Sequence, residues 1–349
     1  MKIIIYLLIL STFNNCAWND KFRNSSPEGE DLVEVFDLKE KDFEKFKVSE
    51  RKEDSKESEK KEKTKVVKKV ESKKKKSKKK ISEVKPEKVE KSPYPKDYPE
   101  KLKEYDKKFK WVWKESKPLH FVGEKQILSV SFLGITAGYV TMEARPIVSL
   151  GEKEAYHFKA SLRSAEYYKF IYSLDDSVDS FVDIETNLPI KYTLKQRESG
   201  QKVDDLQLFD QKKLVTHYLY NRIKKGKNKK ENKTTFIPKY FQDSFSVLYF
   251  ARGLPLVDNK EYSFPVVTRA KLWIAKIEKM GNEKVSVMGT EIDAIKVRAE
   301  THYPGVLKKK GDIVFWFSND DKRLLLKFEA KVKIGYVTGV IMEYVPGKD

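Results

Sequence analysis

The chain has 349 residues, a formal net charge of +19 and charged side chains at 36% of positions. One cysteine excludes an intrachain disulfide framework. The four histidines, His120, His157, His217 and His302, stand apart with no second ligand at metal-binding spacing, so neither a metal nor any other cofactor is expected. There is no Gly-x-Ser-x-Gly elbow and no glycine-rich phosphate loop.

The chain opens MKIIIYLLILSTFNNCAWND. Lys2 is a minimal positive start, and Ile3 to Leu10 form an apolar run. Such a run is shorter than the roughly 20 residues that cross a bilayer, but it has the length of a signal-peptide core. Cys16 follows at the distance where a bacterial lipoprotein signal places its acylated cysteine. Phe13, Asn14 and Asn15 make a loose version of the usual lipobox. Residues 1–15 are therefore expected to be a lipoprotein-type signal, and Cys16 the lipidated start of an exported chain. The absence of an aspartate after Cys16 favours the outer membrane.

Residues 16–96 are expected to be a disordered tether rich in lysine and glutamate. From Arg51 to Lys91 there are 19 Lys/Arg against 9 Asp/Glu. The densest run holds Lys73, Lys74, Lys75, Lys76, Lys78, Lys79 and Lys80. Too few apolar residues lie here to offset the entropy of ordering. Export argues against nucleic acid as the partner. The readings left are a self-repelling linker, or a grip on an anionic envelope polymer or lipid. Fully extended, Cys16 to Tyr94 would reach about 260 Å, and as a flexible coil about 50 Å. Within it, Asp31 to Phe46 is a small apolar island, read as a transient helix or a docking peptide.

Residues 97–117 are expected to form a short helical collar, with Leu102, Tyr105, Phe109 and Val112 near helical spacing. From residue 118 to 349 the pattern changes to period two, as in Leu128, Val130, Phe132 and in Leu326, Phe328, Ala330, Val332. Period two means half-buried strands. Turn signals fall at Gly134, Gly151, Gly200, Gly281 with Asn282, Lys310 with Gly311, and Asn319 with Asp320. The exception is a helix in FQDSFSVLYFARGLP, with Asp243 to cap it, Gly253 to end it and Pro255 to block it. The fold expected is mainly β: a large curved antiparallel sheet or partly closed barrel with one short packed helix.

The segment GEKQILSVSFLGITAGYVTME resembles the opening strand pair of the bacterial exported family known as domain of unknown function 3108. DSVDSFVDIETNLPIKY, LQLFD, the helix at Asp243 to Arg252 and FWFSNDDKRLLLKFEAKVKIGYVTGVI follow in that family's order. The resemblance spans about residues 118 to 345 and departs at Leu325, where the family usually has a proline. It implies export and a β-rich domain, and brings no catalytic residue with it.

Two clusters remain as candidate sites. Asp175, Asp179 and Asp183 share strand parity and could bind calcium or act in acid/base chemistry. Lys224, Lys225, Lys227, Lys229 and Lys230 lie in a charged stretch, Asn221 to Lys233, that reads as a long basic loop. The function expected is a non-enzymatic envelope lipoprotein whose concave sheet holds an apolar ligand or acyl chain under the helix. The alternatives are an assembly factor working through the basic tether, or a hydrolase using the aspartates.

Overall fold

The computed structural model describes residues 31–38, 41–51, 93–302, 312–332 and 334–348. Cys16 and the lysines from Lys73 to Lys80 lie outside them, as does the turn expected at Lys310 with Gly311. The described elements in chain order are α1 (Leu32–Val35), α2 (Lys41–Glu44), β1 (Val48–Ser49), α3 (Glu100–Glu115), β2 (Lys125–Phe132), β3 (Ile135–Leu150), β4 (Lys153–Ser164), β5 (Asp175–Asp183), β6 (Pro189–Glu198), β7 (Gln201–Asp210), β8 (Val215–Lys224) and β9 (Lys227–Phe236). They continue with α4 (Ser246–Arg252), β10 (Glu261–Thr268), β11 (Lys271–Val287), β12 (Thr290–His302), β13 (Asp312–Ser318), β14 (Leu325–Lys331) and β15 (Tyr336–Val345).

The strands form one antiparallel sheet in the order β10-β11-β12-β13-β14-β15-β2-β3-β4-β5-β6-β7-β8-β9, with β1 paired to β3. Most neighbours are sequential hairpins, which keeps turns short. Leu133-Gly134, Lys225-Gly226 and Met288-Gly289 each take positive φ at both residues, the backbone of a tight hairpin turn. The sheet does not close through a ladder. Instead Arg269, between β10 and β11, bonds Asp205 of β7 at 3.0 Å and lies over Tyr220 of β8 at 5.3 Å.

The inner face is filled by α4, all seven of whose residues are buried. Asp243 accepts 2.7 Å bonds from the Phe245 and Ser246 amides, and the Asp243 amide donates back to Ser246 Oγ at 3.0 Å. That reciprocal pairing starts the helix, as its sequence predicts. Arg252 closes it onto the sheet with a bidentate bond to Glu124 at 2.6 and 2.8 Å. The interior core then runs from Leu128 and Phe158 through Phe250 to Phe264 and Phe317.

Three expectations need correction. Gly281 does not turn the chain: it sits at a bulge within β11, where one extra residue is absorbed, and the turn comes later at Met288-Gly289. Asn221 to Lys233 is no loop. It is the β8–β9 hairpin, and β9 is a sheet edge almost without apolar residues, a composition that discourages edge-to-edge pairing. The Asp31 island is not tether. Leu32, Val33 and Phe46 are buried against Leu150, Phe181, Ile190, Leu206 and Leu208 on the sheet face opposite α4. The island's apolar residues find a partner there, so the disorder expected of residues 16–96 does not hold over residues 31–38 and 41–51.

Hairpin tips alternate between two ends of the sheet. The β3–β4, β5–β6 and β7–β8 tips share one end. The β2–β3, β4–β5, β6–β7, β8–β9 and β14–β15 tips share the other.

Candidate binding cleft

The collar helix α3 buries Leu102, Asp106, Phe109 and Val112 against the sheet. Asp106 is the unexpected member. It accepts from the Lys239 amide at 2.6 Å and lies 3.0 Å from the Tyr98 hydroxyl, which also meets the Ile237 carbonyl. Burial raises the Asp106 pKa against these bonds, and raises that of Tyr98 as well. The pair ties both ends of the approach, Tyr98 and Lys239, to the helix. Lys239 then stands 3.9 Å over the Tyr94 ring.

This anchoring opens a cleft of about 600 Å³ between α3 and the sheet end that carries the β5–β6 and β7–β8 tips. Lys110, Trp113 and Lys114, at i, i+3 and i+4, present one helical face to it. Lys153, Leu188 and Lys212 stand opposite, with Lys239 and Tyr240 between. Trp113 is held by Tyr240, Phe250 and Phe264 at ring distances of 5.6, 4.6 and 5.9 Å. Its indole Nε1 is buried without a hydrogen-bond partner among the described residues. Lys153 bonds Gln211 at 2.8 Å and pairs with Asp183 behind the wall. Among the described residues five lysines line the cleft and no aspartate or glutamate does. A concave surface with one sign of charge and low-dielectric walls concentrates counter-ions. An anion with an apolar or aromatic part fits this lining.

None of these cleft residues was singled out by sequence. The signal present was the Lys110, Trp113, Lys114 spacing on the collar; the facing residues come from three distant hairpins.

The predicted acidic cluster is differently arranged. Asp175, Asp179 and Asp183 do lie on β5 four residues apart, so successive carboxylates are about 13 Å apart along the strand. Each has its own cationic or imidazole neighbour: Arg163 at 3.1 Å, His157 at 2.8 Å, and Lys153. Among the described residues no three His, Cys, Asp or Glu side chains converge on a metal-sized site. The inward-facing Asp176 is the perturbed carboxyl. Burial, then the charge of Glu198, raise its pKa to about 7. Gln196 Nε2 bridges the two carboxyls at 3.3 and 3.1 Å.

The space under α4 is also not as expected. Phe245 and Leu248 pack so closely on β3, β4, β13 and β14 that the apolar cavity left is about 60 Å³. An acyl chain needs several times that volume, so the concave interior is a packed core and not its seat.

Residues 128–341 match the model of a family described as Protein of unknown function (DUF3108). Among curated proteins none matches the chain. Two solved structures are similar. One is a β-barrel-like protein of domain of unknown function DUF1849 from Brucella abortus, at 11% identity and TM-score 0.43, over 66% of this chain and 99% of that one. The other is a candidate lipoprotein from Parabacteroides distasonis, at 10% identity and TM-score 0.28, over the same shares.

Proposed function

The chain belongs to the DUF3108 family, whose function is unknown, and we propose that it is a non-enzymatic binding module of the cell envelope that takes an anionic amphiphile into the α3 cleft. One observation carries this reading: the cleft combines five lysines, no carboxylate in its lining and the fixed rings of Trp113 and Tyr240. Its volume, about 600 Å³, is that of an ordinary small-molecule site. The lysines would hold a phosphate or carboxylate head, and the rings the apolar part. The signal-like start and Cys16 support an exported, lipid-anchored chain, with the outer membrane as the proposed location. Residues 17–30, between Cys16 and the docked Asp31 segment, would set how far the domain stands from its anchor, and the lysine-rich stretch between Arg51 and Pro93, both of whose ends lie on the domain, would favour anionic envelope surfaces.

Native mass spectrometry of the full chain carrying Cys16→Ala, purified gently from an exporting host, tests this. An added discrete mass is expected, lost in the Lys110→Glu, Lys114→Glu double variant. A mass that survives this double change places the ligand elsewhere. A clean apo mass from the unaltered cleft overturns the reading and moves attention to partners of the tether.

A further inference from the structure

The sheet end away from the cleft has an unusual surface. The β2–β3 tip exposes Leu133 and Ile135, the β4–β5 loop exposes Phe170 and Ile171, and the β14–β15 tip exposes Ile334 and Tyr336. Phe170 is 93% exposed and Ile171 75%, so nothing among the described residues covers them. These three tips are neighbours, because β15 pairs with β2, β2 with β3 and β3 with β4. They also touch. The Tyr167 hydroxyl bonds the Thr136 carbonyl, and a Cβ at Gly335 would stand 3.0 Å from Leu133 Cδ2. Single exposed apolar residues are ordinary, but a contiguous row of large ones marks a contact surface.

Charge follows along the same rim. Two hairpins further on, the β8–β9 tip carries Lys224, Lys225 and Lys227, with Lys229 and Lys230 behind. Glu231 neutralises Lys229 and Lys233 at most. Among the described residues Lys224, Lys225, Lys227 and Lys230 pair with no carboxylate. The rim therefore reads apolar, then polar at Ser199-Gly200, then strongly cationic.

We propose that this rim docks on an anionic lipid bilayer. The tips of β2–β3, β4–β5 and β14–β15 insert their side chains into the interfacial layer, and the β8–β9 hairpin meets the headgroups. The apolar side chains stand on three successive tips spaced about 10 Å apart along the rim. A rigid protein partner would need a pocket for each, whereas a fluid bilayer accommodates all together. The unpaired lysines supply the charge complementarity that an anionic leaflet requires, and an apolar face beside lysines is the composition of interfacial membrane contacts. Among the described residues no helix is long and apolar enough to cross a membrane, so the contact proposed is peripheral. It is independent of the cleft, which lies at the opposite end.

Cys16 is the only cysteine, so the full chain with Cys16→Ala accepts a single label by design. Phe170→Cys carrying an environment-sensitive fluorophore is mixed with phosphatidylcholine vesicles containing phosphatidylglycerol. Brightening is expected, with quenching by nitroxides in the acyl chains; a label at Thr290→Cys, exposed on the β11–β12 turn at the other end of the sheet and outside the cleft lining, stays unchanged. Phe170→Asp with Ile171→Asp should lower vesicle partition roughly tenfold in co-sedimentation. The tether is the same in both chains, so its own attraction cancels from that ratio. A dark label with partition unchanged by the double variant overturns the proposal and leaves membrane binding to the tether. Brightening without vesicles that grows with protein concentration also overturns it, by showing a second copy on the rim.

Discussion

The Lys191 ammonium sits 2.5 and 2.6 Å from the two carboxylate oxygens of Asp31, a residue 160 positions earlier, and 3.2 Å from the Phe46 carbonyl. Lys191 is 1% exposed, because the segment holding α1, α2 and β1 covers it. A buried ammonium is tolerated only when its partners are complete. Replacing Asp31 by Ala strands it, at a cost of about 3–5 kcal/mol if the segment stays down. The segment is short, so lifting off is the cheaper response. We expect Asp31→Ala to let trypsin cut after Lys45 and Lys47 at least tenfold faster, with the sheet's melting only modestly lowered. Asp31→Leu with Lys191→Leu should restore protection. Cleavage at the wild-type rate in Asp31→Ala would mean the apolar contacts alone hold the segment.

Asp176 faces the interior, and its pKa rises from 3.8 to about 7 in the folded chain. Between those values the folded state binds more protons than the unfolded one, so this group's contribution to stability falls as pH rises through the window. The cost of ionising it is on the order of a few kcal/mol, fully felt above pH 7. Asp176→Asn keeps an oxygen for the Arg197 amide, which donates at 2.8 Å, and removes the charge. The variant should therefore be more stable than wild type at pH 8 and similar to it near pH 4, by denaturant titration. Equal stability of the two chains at pH 8 would show that the carboxyl pair is not strained.

His120 works in the opposite direction. It is packed among Tyr156 and Phe158 at 4.7 and 4.9 Å, with Nε2 3.1 Å from Asn187 Oδ1. Desolvation lowers its pKa to about 4. From pH 6.5 down to 4 the unfolded state takes the proton first, so His120 removes stability as pH falls. Asp176 adds stability over nearly the same range, as does the buried Asp205, whose pKa rises to about 6, so each variant is read as its difference from wild type. Asp176→Asn should then lose stability steeply between pH 6.5 and 4. His120→Asn should gain it over that interval, even though its absolute stability drops from lost packing. Parallel profiles for the two variants would refute the opposed linkage.

How far the sequence revealed this fold depended on which face of a strand stays wet. β2 and β14 alternate, and their positions were readable. β7 was legible only in part, since Asp205 and Gln207 are buried on the inner face while Leu206 and Leu208 are buried on the outer one. β9 was missed because an edge strand with two wet faces has no apolar signature. On β5, parity correctly grouped Asp175, Asp179 and Asp183, but the chemically unusual carboxyl is Asp176 on the other face. The cleft was illegible because it is assembled by α3 and three hairpin ends far apart in the chain, each carrying an ordinary surface lysine or its neighbours.

Gly339 on β15 pairs directly with Phe328 on β14, and its missing side chain is where the ring lies. A Cβ there would stand 2.1 Å from Phe328 Cε1. Phe328 also borders the 60 Å³ cavity beside Leu248 and Phe315, so the ring has a little room on its far side. Gly339→Ala should push it toward that cavity and cost about 1–3 kcal/mol, the usual range for overpacking. Phe328→Leu alone should cost a comparable amount, because it enlarges the void. Together they should cost less than their sum, since leucine vacates the space that the new methyl needs. A double-mutant cycle by chemical denaturation measures this coupling, expected to be favourable by about 1 kcal/mol. Strict additivity would mean that the Gly339→Ala strain falls on the β15 backbone and not on the ring.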